Sequence, residues 1–175
     1  GIIPQGVWGA NPDLARPVYD PAAAKALLAE AGYAEGEVSF EMALDSSSNS
    51  NIQLVYQMVQ QQLKDAGINV TLSTYDESSW LDLRKSGEMD SFIATWTMDY
   101  NDPANIMYTF FGSEAKTKIR SLNYADEAIM ARVAAASGIT DDAARMAEYQ
   151  ALEEKLKAQG IRNLYACIAS PVIED

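Results

Sequence analysis

Val38-Ser39-Phe40-Glu41-Met42-Ala43-Leu44, then a polar stretch, then Ile52 to Leu63, then Ile68-Asn69-Val70-Thr71-Leu72: the reading of this segment decides the fold. In its first part Val38, Phe40, Met42 and Leu44 alternate with Ser39, Glu41 and Ala43, the period of a strand with one buried face. Asp45 to Ser50 is polar and able to cap a helix. Ile52, Val55, Tyr56, Val59 and Leu63 recur at helical spacing up to Gly67, and a second strand follows at once. Strand, helix, strand with short joints is a βαβ unit, which predicts parallel strands and a right-handed crossover.

Outward from this unit the same grammar repeats. Upstream, Gly1 to Arg16 carries Pro4, Gly6, Gly9 and Pro12 and runs into Pro17, which predicts an irregular leading segment. Asp20-Pro21 is a helix start, a capping carboxylate followed by a proline at the first helical position. The helix runs to Ala31, with Ala24, Leu27, Leu28 and Ala31 on one face and Gly32 as its stop. Downstream come a short helix from Ser79 to Ser86, a stop at Gly87 and a strand from Ser91 to Thr95. Asp102-Pro103 repeats the cap-plus-proline start ahead of a helix from Ala104 to Phe111, and further helices are expected over roughly 126–137 and 141–158. The fold class is α/β, a largely parallel sheet flanked by helices in excess.

Length and composition narrow the function. A chain of 175 residues with 48% hydrophobic content is long enough for one compact domain with a real core. Thirteen Lys and Arg against 25 Asp and Glu give a formal net charge of −12, so nucleic acid and anionic membranes are poor partners. With no histidine, His-based zinc sites and imidazole-driven nucleophiles are excluded within the chain. The one cysteine, Cys167, has no internal disulfide partner and reads as an inert buried thiol. No apolar run reaches membrane-spanning length. Gly1-Ile2-Ile3-Pro4 is neither a signal peptide nor an initiator terminus, so the expectation is a piece of a longer protein. Asn69-Val70-Thr71 matches a glycosylation sequon, but its place in a predicted strand argues against its use.

The candidate site is the loop Trp96-Thr97-Met98-Asp99-Tyr100-Asn101-Asp102-Pro103, between a strand's carboxyl end and a helix start. Open α/β sheets place ligands at such loops. Asp99 beside Trp96 and Tyr100 is suited to a cationic group, because rings that exclude water strengthen the pairing. Asp99 and Asp102 also admit a reading as the acid and base of an enzyme, although Asp102 already serves as a helix cap. A calcium loop is ruled out by Pro103, which stands where an oxygen ligand is needed, and no Gly-rich phosphate cradle is present. Tyr75, Trp80, Tyr108, Phe110 and Phe111 read as core, whereas Trp96 fits core and cleft equally. Arg84 and Lys85 complement a helix dipole, and Glu148, Glu153, Glu154, Lys155 and Lys157 read as a solvated helix face.

Three motifs in order carry a resemblance. Tyr19-Asp20-Pro21-Ala22-Ala23-Ala24-Lys25-Ala26-Leu27-Leu28-Ala29-Glu30-Ala31-Gly32-Tyr33, the joint Gln62-Leu63-Lys64-Asp65-Ala66-Gly67-Ile68-Asn69-Val70 and the Trp96–Pro103 loop resemble segments of the family 5 extracellular solute-binding proteins. These are the oligopeptide and dipeptide receptors of ABC importers. The resemblance covers Ile3 to Leu156 and implies a periplasmic-binding-protein-like lobe, the second of a two-lobed clamp that closes by hinge motion. On that basis 1–175 is a single domain lacking its first lobe, and 157–175 is a tail that departs from the family pattern and receives no roles. The resemblance further implies that Asp99 binds a ligand ammonium, that Trp96 and Tyr100 shield it, and that Arg84 meets the ligand's carboxylate end. Expected partners are a peptide or another small amine-bearing ligand, the missing first lobe and a membrane ABC permease, with no nucleic acid. No cofactor, metal or catalysis is expected, and the location is periplasmic or cell-surface, as part of a longer secreted protein. Relatives that carry nickel chelates, haem or sugars leave the ligand open. An α/β enzyme using Asp99 and Asp102, or a self-contained interaction module, remain the alternatives.

Overall fold

The computed structural model of the chain describes residues 1–15 and 18–161. Cys167 and most of the departing tail lie outside the described residues. Backbone contacts divide the chain into two compact units, Val18–Ile93 and Gly1–Pro17 joined with Ala94–Asp175.

The first unit holds α1 (Pro21–Glu30), β1 (Ser39–Asp45), α2 (Ser50–Asp65), β2 (Asn69–Tyr75), α3 (Glu77–Ser86) and β3 (Ser91–Phe92). Its sheet has the order β2-β1-β3, with both pairings parallel, as the βαβ reading requires. Phe40 faces Val70 and Met42 faces Leu72 along the first pairing. Because β1 is central, Met42 and its neighbour Ala43 are both buried, although the alternation predicted one buried face. Trp80 of α3 covers the Ala43 side: its indole nitrogen donates to Ala43 O at 3.2 Å and its ring stands edge-on to Phe92, 5.7 Å between centroids. The left-handed Gly87, φ 81°, ends α3 as expected.

Two expectations in this unit fail. β3 stops at Phe92, three residues short of the predicted Thr95. Its pairing with β1 covers only Ser91 and Phe92, after which the Ile93 N–H is taken by the Tyr56 hydroxyl at 2.8 Å. That hydroxyl in turn donates to Ala43 O at 2.8 Å, so a side chain from α2 substitutes for the next rung of the ladder. α1 buries no residue, and Leu27 is 65% exposed rather than on the covered face. Alanine fits either side of a helix, so an alanine-rich pattern marks a face only weakly.

The second unit is helical: α4 (Pro103–Phe111), α5 (Glu114–Lys118), α6 (Glu127–Ala136) and α7 (Asp142–Ala158). α4 is its centre, with Ile106, Met107, Phe110 and Phe111 buried against Val133, Leu152 and Leu156. Ile3 and Val7 of the leading segment join this core. Gly9, at φ +82°, passes so close to Pro103 that a Cβ would stand 3.1 Å from its ring, a place for glycine on both counts. Ile3 N–H donates to Glu153 Oε1 at 2.8 Å, and Glu153 is 1% exposed, which corrects the solvated reading of that residue on α7. A buried carboxylate needs donors, and the leading segment supplies one. Each of the seven helices among the described residues starts at an Asp, Asn or Ser whose side chain accepts a backbone N–H of the first turn.

Candidate functional site

Residues Ile93 to Asp102 form no helix or strand, and the helical unit fastens this segment at two points. At its start Trp96 is half-buried, edge-on to Phe110 with 5.3 Å between ring centroids. The Arg120 guanidinium lies 5.6 Å from the Trp96 ring centroid and 5.2 Å from that of Phe110. At the segment's end Asp102 caps α4 by accepting the Ala104 N–H at 2.8 Å. The same carboxylate takes Arg145 at 2.6 and 2.5 Å, and Arg145 stacks 5.2 Å from the Trp8 ring and 5.6 Å from that of Tyr149. Asp102 is therefore committed to structure, which removes it as a free acid or base.

Between these anchors Asp99 and Tyr100 stand in solvent, Tyr100 55% exposed. Among the described residues the Asp99 carboxylate makes no ion pair. Its one hydrogen bond is from Asn105 Nδ2 to Oδ2, at 3.4 Å. Asn105, 3% exposed, accepts the Trp96 indole N–H at 2.7 Å on its other end. The structure thus brings Trp96 and Asp99 together through Asn105 and leaves Oδ1 of Asp99 open to an incoming donor. Asn105 and Arg145 were not singled out from the sequence. For Asn105 a signal existed, an amide in the first turn of an otherwise apolar helix.

Arg84 lies in the other unit, in the last turn of α3 as the dipole reading expects. Its guanidinium is 5.5 Å from the Trp80 ring centroid and 5.7 Å from that of Phe92. A surface cleft of about 370 Å³ is lined by Asp126, Arg132, Lys155 and Gln159 of the helical unit and does not include the Trp96–Asp102 segment. Among the described residues no group of three His, Cys, Asp or Glu could hold a metal ion, and no helix is long and apolar enough to cross a membrane.

A parallel α/β sheet flanked by helices is the architecture expected of a periplasmic-binding-protein-like lobe. The chain belongs to the bacterial extracellular solute-binding proteins of family 5, whose middle region matches residues 1–118. It is 34% identical over 116 residues to the dipeptide-binding protein of Escherichia coli, covering 65% of this chain and 22% of that protein. Di/tripeptide-binding protein 1 of Pseudomonas aeruginosa is 30% identical over 159 residues, 90% of this chain and 30% of its own length. Among solved structures, the periplasmic binding protein DppA of Helicobacter pylori in complex with the peptide STSA superposes with a TM-score of 0.75 at 28% identity, over 87% of this chain and 30% of that one. The chain thus spans less than a third of the length of these relatives. They are binding proteins, in agreement with the expectation of binding rather than catalysis.

Proposed function

We propose that this chain is the ligand-binding lobe of a longer, extracytoplasmic receptor that captures short peptides by their free ammonium and hands them to a membrane ABC permease. The observation that carries the reading is the Asp99 carboxylate, exposed, free of ion pairs among the described residues and tethered next to Trp96. An incoming ammonium replaces water at Oδ1, and an opposing lobe excludes solvent from the pair, which multiplies its strength. Tyr100 covers the pair from the solvent side, and the peptide backbone lies extended against the opposing lobe. Arg84 of the other unit is kept aligned by its stacking on Trp80 and Phe92 and is a donor suited to a carboxylate. The names of the relatives, which bind dipeptides and tripeptides, support the ligand class.

The test is calorimetric titration of the full-length receptor with Ala-Ala, tri-alanine and their N-acetyl forms. Free peptides bind, acetylated ones bind far more weakly, and Asp99→Ala costs about 2–5 kcal/mol, the usual result of leaving a buried charge without its partner. Equal affinity for free and acetylated peptides, or an Asp99→Ala variant that binds as the parent does, rejects the ammonium site.

A further inference from the structure

Asn105 is buried in the first turn of α4 and touches both functional side chains of the loop. Indole nitrogen is a donor only, so its 2.7 Å contact identifies the accepting end of the Asn105 amide as the one facing Trp96. The amino end therefore faces Asp99, at 3.4 Å from Oδ2. The amide itself cannot turn over: a flip would set its amino group against the indole N–H and its oxygen against the carboxylate, two repulsive contacts in place of two attractive ones. The helix that carries it is held in turn by the Asp102 cap and by the buried side chains of Ile106 and Met107.

We propose that Asn105 is a positioning residue for ligand recognition, fixing the Asp99 carboxylate and the Trp96 indole in one register so that Oδ1 meets the ligand's ammonium beside the ring. This rests on the reading of Asp99 given above. Asn105 touches no ligand itself; it acts by occupying Oδ2 and by holding the ring. A free aspartate on an exposed loop samples several rotamers, and that freedom is lost when a ligand binds. The amide tether removes part of it beforehand. It also gives the site a preference for ligands that offer a cationic donor to one oxygen, over guests such as a metal chelate, or an acetylated peptide whose amide N–H is neutral.

The test uses Asn105→Leu, of similar volume and without polar atoms, in the full-length receptor, with Asp99→Ala alongside. Expected is a roughly tenfold loss of Ala-Ala affinity in Asn105→Leu, with N-acetyl-Ala-Ala changed by less than about twofold. The Trp96 indole N–H resonance, assigned by its loss in Trp96→Phe, moves upfield in Asn105→Leu as its hydrogen bond disappears. A second measurement leaves Asn105 in place: its side-chain amide resonances shift in Asp99→Ala and on addition of Ala-Ala. An equal loss for free and acetylated peptides would mean general loosening and overturns the proposal, as do Asn105 amide signals indifferent to Asp99. If Asp99→Ala weakens binding while Asn105→Leu does not, positioning fails and the ammonium site stands; if Asp99→Ala is silent, both fall.

Discussion

Arg145 reaches both carboxylate oxygens of Asp102, at 2.6 and 2.5 Å, from 43 positions further along the chain. The pair is mostly buried, its side chains 18% and 20% exposed, and Asp102 also caps α4. One carboxylate therefore ends the Ile93–Asp102 segment, starts the central helix of its unit and ties that helix to α7.

Replacing Asp102 by alanine removes the cap and leaves Arg145 without its partner in a largely buried place. A lost cap costs about 1 kcal/mol and the abandoned cation adds to that, for about 2–3 kcal/mol in all. Asp102→Asn keeps a capping oxygen and loses the charge, so its cost is about half as large. Urea unfolding of the three proteins gives the order; equal midpoints would show that the pair contributes nothing.

Tyr56→Phe deletes a hydroxyl that donates to Ala43 O and accepts from Ile93 N–H, both at 2.8 Å. Tyr56 is buried, so the Ile93 N–H is left short of its acceptor, while Ala43 O keeps the Trp80 indole N–H, for a cost of about 1–3 kcal/mol. The effect is local, and amide exchange reads it: Ile93 loses protection while the β1–β2 rungs keep theirs. Unchanged exchange at Ile93 would mean that the hydroxyl is not part of the ladder.

The capping aspartates set an acid limit. Asp76 lies below the usual carboxylate range chiefly through the Ser79 hydroxyl, and Asp126 chiefly through the Ile129 backbone N–H, with Gln159 second. A carboxyl whose value is lowered by folding stabilises the fold above the ordinary value of 3.8 and loses that contribution as pH falls through the lowered one. Melting temperature should hold steady down to about pH 4 and then decline. The double variant Asp76→Asn, Asp126→Asn should show a shallower decline, and an identical acid profile would assign the limit to other groups.

What the sequence makes legible is what neighbours in the chain decide. Asp20-Pro21 and Asp102-Pro103 announce helices because cap and first turn are adjacent, and the βαβ unit declares itself through two periods joined by short turns. The end of the loop carrying Trp96, Asp99 and Tyr100 is legible for the same reason, at the Asp102 cap. α5 is not, since five residues after Ser113 are too few for a period. The end of β3 depends on a tyrosine 37 positions away, and the state of Glu153 on an amide 150 positions away. No local pattern contains such partners. Asn105 falls between: its polarity is visible, but that it bridges Trp96 and Asp99 requires coordinates.

The bond between Ile3 and Glu153 also orders events in time. During synthesis the Ile3 N–H has no such acceptor until Glu153, well into α7, has been added. Val18–Ile93 is one uninterrupted stretch, and its sheet can close while the ribosome is still adding the helices that follow. The helical unit draws on both sides of that stretch, so its contacts close a long loop and carry a larger entropic cost than the local pairings of the sheet.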